Sequence, residues 1–422
     1  MKPSILYTKQ QPFKRGKILL GMVAMRRQTG YEKMSDYQPR LPSNNAYDYY
    51  IAAARQLKGG QHFSGQQPPT REEVRWLEAN QGAFNTLLKA KGLPYRWPFG
   101  VVGYHFLFDD LARLRNLARL VNARIRWAIA TRDGMDAIHD WRIGFQMARD
   151  LQGDAVIPYL VGVAVEGIIH VPIIRETDFF SAHECREMAR TLIESERTPD
   201  RFSSVIEGEL ASDLQTLDRF LPEQPSGTSP FQELEQLFDF ELGDEEEKER
   251  SRREKEQLMG QLTQLLKQPR AYQRLRMNIR REIVRAWQAV ADAAALPGGR
   301  YRAVKLQKYD PDTFFGSLME IFTPLPAFVR VYWETRTRRR LMVAHLLLRE
   351  YYLREGRYPD SLEPLDLKEL AIDPFSGQPF IYRLSGARYL LYSVGADGKD
   401  DGGHNPNDEP PRDLFLIRGD WR

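Results

Sequence analysis

The residues whose types and spacing are best suited to chemistry lie in a loop near the C-terminal end of the chain, Gly395–Asp408, which reads GADGKDDGGHNPND. Ca²⁺ prefers about six to eight oxygen ligands from carboxylates, amides and backbone carbonyls. The loop combines four glycines, which let the backbone curl, with six oxygen-bearing side chains: Asp397, Asp400, Asp401, Asn405, Asn407 and Asp408. An EF-hand is excluded, because Lys399 occupies the third loop position and the twelfth is not Glu. These residues are suited to a Ca²⁺ site, but composition alone favours the alternative of a solvated polar turn.

A long helix and three short strands must position this loop. Residues 338–356 place apolar side chains along one helical face, and Gly356 is suited to end that helix. Three strands follow from runs of apolar and aromatic residues: Phe380–Leu384, Arg388–Val394 and Leu414–Ile417. The pattern predicts a small α+β unit with a three-stranded antiparallel sheet, in which the acidic loop joins the second strand to the third.

Three segments in this region share their order and spacing with one known family. They read REGRYPDSLEPL, DPFSGQPFIYRL and YLLYSVGADGKDDGG. Together they resemble the C-terminal globular half of the type II secretion major pseudopilin, over about residues 335–420. The resemblance implies a short sheet packed on a helix and a bound Ca²⁺ that stabilises the fold.

The resemblance also implies which residues bind the cation. Asp397 matches the aspartate of the family's Gly-Ala-Asp-Gly loop, and Ser393 lies near the position that offers a backbone carbonyl. The loop is one residue longer than usual before its paired glycines, so the later ligand is either Asn407 or Asp408. Asp400 and Asp401 complete the candidate set on the composition of the loop.

The N-terminal part of the chain departs from the pseudopilin pattern. Pseudopilins begin with a cleaved leader and a continuous apolar helix with Glu at its fifth position, where this chain has Arg26. The apolar stretch Ile18–Met25 is far shorter than the ~20 residues that span a bilayer. Instead, about 300 residues precede the matching unit. In this arrangement the chain resembles large uncharacterised bacterial proteins in which a helical body carries a pseudopilin-like tail.

Those preceding residues have helical periodicity. Thr70 and Glu73 form a capping-box pattern, and leucines recur at three- and four-residue steps between Leu107 and Val121. A turn at Asp133-Gly134 then separates two helices, as in a tetratricopeptide hairpin, although no 34-residue period repeats. The prediction is a mainly α protein in three parts: an irregular segment over residues 1–46, a helical body of irregular α-hairpins over 47–328 with a linker near 222–230, and the α+β unit over 329–422.

One apolar run raises the question of a membrane span. Ala155–Ile174 is long enough to cross a bilayer, but Pro158, Glu166, His170 and Pro172 interrupt it. A carboxylate near the middle of a lipid-facing helix costs about 2.5–3.5 kcal/mol on insertion scales. We therefore expect a helix buried among other helices, and no membrane span.

The composition of the chain argues against disulfides, cysteine-rich zinc sites and nucleic-acid binding. Cys185 is the one cysteine, which excludes an intramolecular disulfide and a multi-cysteine zinc site. The formal net charge of +4 over 422 residues is not typical of a nucleic-acid-binding protein. Residues 250–285 hold eleven Lys or Arg against three Glu, but no nucleic-acid-binding module surrounds them.

Other polar groups in the body suit structural roles better than catalysis. His139-Asp140 and His183-Glu184-Cys185 offer titratable side chains, but neither stands in a catalytic or metal-binding motif.

The leading hypothesis is therefore a non-enzymatic structural or interaction protein of the bacterial envelope or secretion apparatus, with protein partners and a Ca²⁺-stabilised tail. The alternatives are a hydrolase whose site lies in the helical body and a helical-repeat scaffold without a role in secretion. Absence of a leader favours the cytoplasm, whereas the pseudopilin-like tail favours a place outside the cytoplasmic membrane.

Overall fold

The computed structural model describes residues 32–59, 63–102, 106–153, 155–225, 245–296, 315–316, 319, 327–403 and 413–416. The N-terminal apolar stretch, residues 226–230 of the expected linker and the end of the third predicted strand lie outside these ranges.

Helices dominate the described part of the chain, which holds eleven α-helices and one small sheet. The helices are α1 (Ala46–Gln56), α2 (Arg71–Ala79), α3 (Gln81–Leu88), α4 (Leu111–Ala130), α5 (Gly134–Leu151), α6 (Val156–Arg175), α7 (Ala182–Arg197), α8 (Phe202–Phe220), α9 (Glu245–Leu266), α10 (Pro269–Ala295) and α11 (Ala327–Glu355). The strands are β1 (Ile381–Ser385), β2 (Arg388–Ser393) and β3 (Leu414–Phe415), in the antiparallel order β1-β2-β3. The predicted fold class, mainly α with a three-stranded antiparallel sheet near the C-terminus, is confirmed.

Local sequence signals account for several helix boundaries. At the start of α2, the Thr70 hydroxyl accepts the Glu73 backbone N–H at 3.2 Å and the Glu73 carboxylate accepts the Thr70 N–H at 3.2 Å. Such a reciprocal capping box satisfies backbone donors that have no partner within the helix. The Asp133 side chain caps α5 in a similar way by accepting the Asp136 N–H at 2.9 Å. The predicted hairpin turn therefore separates α4 from α5 as expected.

Helices α4, α5 and α6 pack on one another around a glycine. A Cβ atom at Gly144 of α5 would lie 2.7 Å from a side-chain carbon of Ile169 and 3.0 Å from one of Val121. No side chain fits into that space without movement of its neighbours. The glycine at this helix crossing thus lets three helices approach closely.

Helix α6 contains the apolar run. Of the described helices it alone is long and apolar enough to cross a membrane, and 61% of its most apolar window is buried inside the protein. Its residues Val165 and Ile169 are fully buried among neighbouring helices. Glu166, the carboxylate that interrupts the run, is also buried and forms an ion pair with Arg339 of α11. These contacts are those of a core helix.

Helix α11 belongs to two hydrophobic cores. Its first turns, including Phe328 and Trp333, pack in a core with α8, α9 and α10. Its later turns, including Leu341 and Leu348, pack in a larger core that extends from α1 to α7. The sheet contacts both cores, because Leu391 of β2 belongs to the larger one and Ile381 of β1 packs against the smaller one. The boundary predicted at residue 328 falls at the beginning of α11 and remains a prediction.

A buried ion-pair network connects α11 to the body between these two cores. The Arg339 guanidinium donates to both carboxylate oxygens of Glu166, from Nε at 2.6 Å and from Nη2 at 2.7 Å. It also donates to Gln152 at 2.5 Å and to Glu196 of α7 at 3.3 Å. Burial alone would raise the pKa of Glu166, but the charge of Arg339 outweighs it and holds the pKa well below its ordinary value.

We predict that Val165→Asp on α6 lowers the free energy of unfolding by about 3 kcal/mol or more, because it places a charge without a partner in the core. Ala164→Asp is the matched control, since Ala164 is exposed on the same helix. Urea denaturation of the two variants measures the difference. Equal stability of both variants would contradict the burial of this face.

We predict that Arg339→Met lowers the free energy of unfolding by about 3–5 kcal/mol, because Glu166 is left buried without its cation. The control Arg338→Met removes a half-exposed arginine that pairs with Glu334, and we expect a loss of at most ~1 kcal/mol. Adding Glu166→Gln to Arg339→Met should recover part of the loss. A small effect of Arg339→Met alone would show that the network does not stabilise the fold.

Candidate metal centre

The platform of the candidate site is the sheet, which packs against α11. Gly356 follows the last residue of α11 at φ +72°, a left-handed conformation that suits glycine and ends the helix where predicted. Strands β1 and β2 form the expected hairpin, with Ser385 opposite Arg388. Strand β3 pairs with the end of β2, with Leu414 opposite Ser393. The described part of the acidic loop, residues 395–403, follows the end of β2, as the sequence predicts.

The side chain of Ser393 is a structural link. The residue is fully buried, and its hydroxyl donates to the Asp373 carboxylate at 2.8 Å. That carboxylate also accepts the backbone N–H groups of Phe375 at 2.9 Å and Val394 at 3.0 Å. Burial raises the pKa of Asp373 although these hydrogen bonds favour its charged form. The hydroxyl of Ser393 therefore joins the turn before β1 to the end of β2, while the role expected of its carbonyl remains a prediction.

Asp400 joins the loop to the outer face of the sheet. One carboxylate oxygen accepts the Tyr392 hydroxyl at 2.7 Å and the Gly402 N–H at 2.8 Å. The other accepts from Arg383 of β1 at 3.0 Å. The hydrogen bond from Tyr392 is the main cause that lowers the pKa of Asp400. This carboxylate is thus already engaged by protein donors, which makes it the least suitable of the described candidates for a cation.

Asp413, which sequence analysis did not select, closes the loop. Its carboxylate accepts the backbone N–H of Gly403 at 2.8 Å and that of Asp401 at 3.4 Å. Burial raises the pKa of Asp413, and the negative charges of Asp400 and Asp401 raise it further. The signal for this residue was its place directly before the third strand, across the loop from the paired glycines.

Gly403 must be glycine for this closure. Its φ is +69°, and a Cβ atom there would lie 2.9 Å from Leu390 and 3.1 Å from the ring of Tyr392. The second of the paired glycines therefore lets the loop backbone lie directly on β2.

The other predicted ligands are only partly described. The Asp397 carboxylate accepts the Lys399 N–H at 3.1 Å within its own turn. Asn407 and Asp408 lie outside the described residues. Among the residues that the structure describes, no three His, Cys, Asp or Glu side chains lie close enough together to hold a metal ion. The structure brings Asp400, Asp401 and Asp413 to one end of the loop, and the complete ligand set remains a prediction.

The titratable groups of the body have structural partners. Asp140 accepts from Arg124 at 3.0 Å and lies 3.5 Å from His139. Glu184 caps the start of α7, and burial raises the pKa of the Cys185 thiol to about 12, which leaves it unreactive at neutral pH. These side chains hold helices in place.

Comparison of the chain with protein-family models, with curated proteins and with solved structures finds no match. The likeness of the C-terminal unit to pseudopilins therefore remains a resemblance of motifs.

Proposed function

We propose that this chain is a non-enzymatic structural protein of the bacterial envelope or secretion apparatus, whose helical body binds protein partners and whose C-terminal unit is stabilised by Ca²⁺. The closure of the acidic loop by Asp413 carries this proposal. It draws the carboxylate that precedes β3 onto the backbone of Asp401 and Gly403. This closure brings the described part of the loop close to β3, which supports a cation site there.

The arrangement around the loop agrees with what the pseudopilin motifs imply. A long helix ends at Gly356, a three-stranded sheet packs on it, and the acidic loop joins its last two strands. In this proposal Asp397 and Asp401 are ligands, joined by Asn407 or Asp408, and Asp413 closes the loop through the backbone of Asp401 and Gly403. Asp400 instead holds the loop to the sheet through Tyr392 and Arg383.

The charge of the loop gives a physical reason for a cation. Asp400, Asp401 and Asp413 carry like charges: burial is the main cause that raises the pKa of Asp413, and the charges of Asp400 and Asp401 raise it further. Ca²⁺ accepts carboxylate and carbonyl oxygens in flexible geometry, whereas Mg²⁺ demands a tight octahedron and retains its waters. Ca²⁺ therefore suits a loop with mixed oxygens and four glycines better than Mg²⁺ does.

We predict that millimolar Ca²⁺ raises the melting temperature of the full chain and that a chelator lowers it. At a concentration about 100-fold above the dissociation constant, the gain in stability is ~2.7 kcal/mol. Asp397→Ala should abolish the shift, whereas the matched variant Asp400→Ala should retain most of it. Mg²⁺ should have little effect.

Isothermal titration calorimetry tests the binding directly. Absence of heat at millimolar Ca²⁺ would show that the loop is a solvated turn. Loss of the shift in Asp400→Ala but not in Asp397→Ala would show that the ligands are assigned wrongly.

The proposed location in the bacterial envelope can be tested separately from Ca²⁺ binding. In fractionated cells of the source bacterium, the protein should be recovered with the envelope fraction, because its proposed partners reside there. Recovery entirely in the cytosol would contradict the envelope role and leave the Ca²⁺ prediction standing.

A further inference from the structure

A polar cavity lies beside the buried network, where α5, α7 and the start of α8 meet α11. It encloses about 240 Å³. Its walls are contributed by Arg149, Asp150, Tyr159, Arg201, Tyr332 and Arg339, among others. Ligand cavities for drug-sized molecules enclose about 300–1,000 Å³, so this one suits a smaller molecule.

The arginines that α11 contributes are already paired. Arg339 binds Glu166 and Glu196, as described above. Arg336 lies 3.2 Å from Glu196 and 3.6 Å from Asp200. The carboxylates of the network are therefore occupied by arginines of α11.

Arg149 and Arg201 have no such partner. No described carboxylate lies within 4.0 Å of either guanidinium. Arg149 donates to the Gln152 amide oxygen at 3.2 Å, and Arg201 lies over the ring of Tyr95, 5.2 Å from its centroid. Each guanidinium carries five N–H donors. Most of the donors on these two residues are thus without a protein acceptor in the described structure.

Asp150 is the cavity carboxylate that approaches these two arginines, yet it binds elsewhere. Its carboxylate accepts the Tyr50 hydroxyl at 2.6 Å. Burial raises the pKa of Asp150 to about 6, against the lowering effect of Tyr50, Arg201 and Arg149. Asp150 attracts both guanidinium groups without pairing with either.

We propose that this cavity binds a small molecule through a phosphate group, held by Arg149 and Arg201. Two guanidinium groups supply parallel N–H donors that match tetrahedral oxyanions in bidentate geometry. The bound oxyanion supplies the negative charge that the half-buried Arg149 lacks, and so relieves the cost of its desolvation. The site is independent of the acidic loop, and its ligand is inorganic phosphate or a small phosphate ester.

Isothermal titration calorimetry of the full chain with inorganic phosphate, at constant ionic strength, tests the proposal. Arg149→Met and Arg201→Met should each weaken binding about tenfold or more, because each removes charge-assisted hydrogen bonds. Arg190→Met is the matched control, since Arg190 is an exposed arginine on α7 that pairs with Glu187. It should bind phosphate as the unaltered protein does.

Asp150→Asn should change the phosphate affinity in the opposite direction to the arginine variants. It removes the negative charge that competes with the ligand, while an amide oxygen still accepts from Tyr50, so binding should tighten about threefold or more. Asp150→Asn still tests the proposal if circular dichroism shows that the arginine variants do not fold. A merely structural role for Asp150 would weaken binding or leave it unchanged.

Glycerol phosphate in parallel titrations distinguishes the two sources of the ligand. Tighter binding of the ester indicates a phosphorylated small molecule, and tighter binding of inorganic phosphate indicates the free ion. No heat with either probe at millimolar concentration would overturn the proposal. Equal phosphate affinity in the Arg149, Arg201 and Arg190 variants would overturn it as well.

Discussion

The guanidinium group of Arg339, enclosed between helices and almost completely removed from water, is the constraint on which the rest of the structure depends. A buried cation is tolerated only when its donors are satisfied and its charge is balanced. Glu166 and Glu196 provide the charge, and Gln152 provides a further acceptor. These partners belong to α6, to α7 and to the residue that follows α5. The hydrogen bonds and ion pairs of Arg339 therefore fix the positions of three helices of the body relative to α11.

The position of Arg339 along α11 makes this constraint effective. It lies between the turns that pack in the smaller core and those that pack in the larger one. A second polar link lies further along the helix, where His345 contacts the Thr177 hydroxyl at 2.8 Å and the Tyr389 hydroxyl of β2 at 2.5 Å. The sheet, and with it the acidic loop, is therefore connected through α11 to the body.

Local features of this fold were predictable from the sequence because they depend on nearby residues. The capping box of Thr70 and Glu73, the turn at Asp133-Gly134 and the helix end at Gly356 all appear as expected. The three strands follow from runs of aromatic and apolar residues. The order of the helix, the hairpin and the acidic loop was also predictable, because it depends on no contact between distant residues.

Features that depend on distant pairing were not predictable. Glu166 stood out within its apolar run, but its partner Arg339 is 173 residues away and lies among several arginines of similar appearance. Asp413 was missed because its contacts cross the loop rather than run along the chain. Arg149 and Arg201 line the same cavity only in the folded chain, so nothing in their separate sequence contexts indicates a shared site.

Because the buried network links α11 to α6 and α7, we expect the helical body and the C-terminal unit to unfold together. Native-state hydrogen exchange of the full chain tests it most directly, because it measures the opening free energy of each element. We expect the amides of α6, α7, α11 and β2 to exchange with one common free energy, equal to that of global unfolding. If the amides of α11 and β2 exchange with a clearly smaller free energy than those of α6 and α7, the C-terminal unit opens by itself and the claim is wrong.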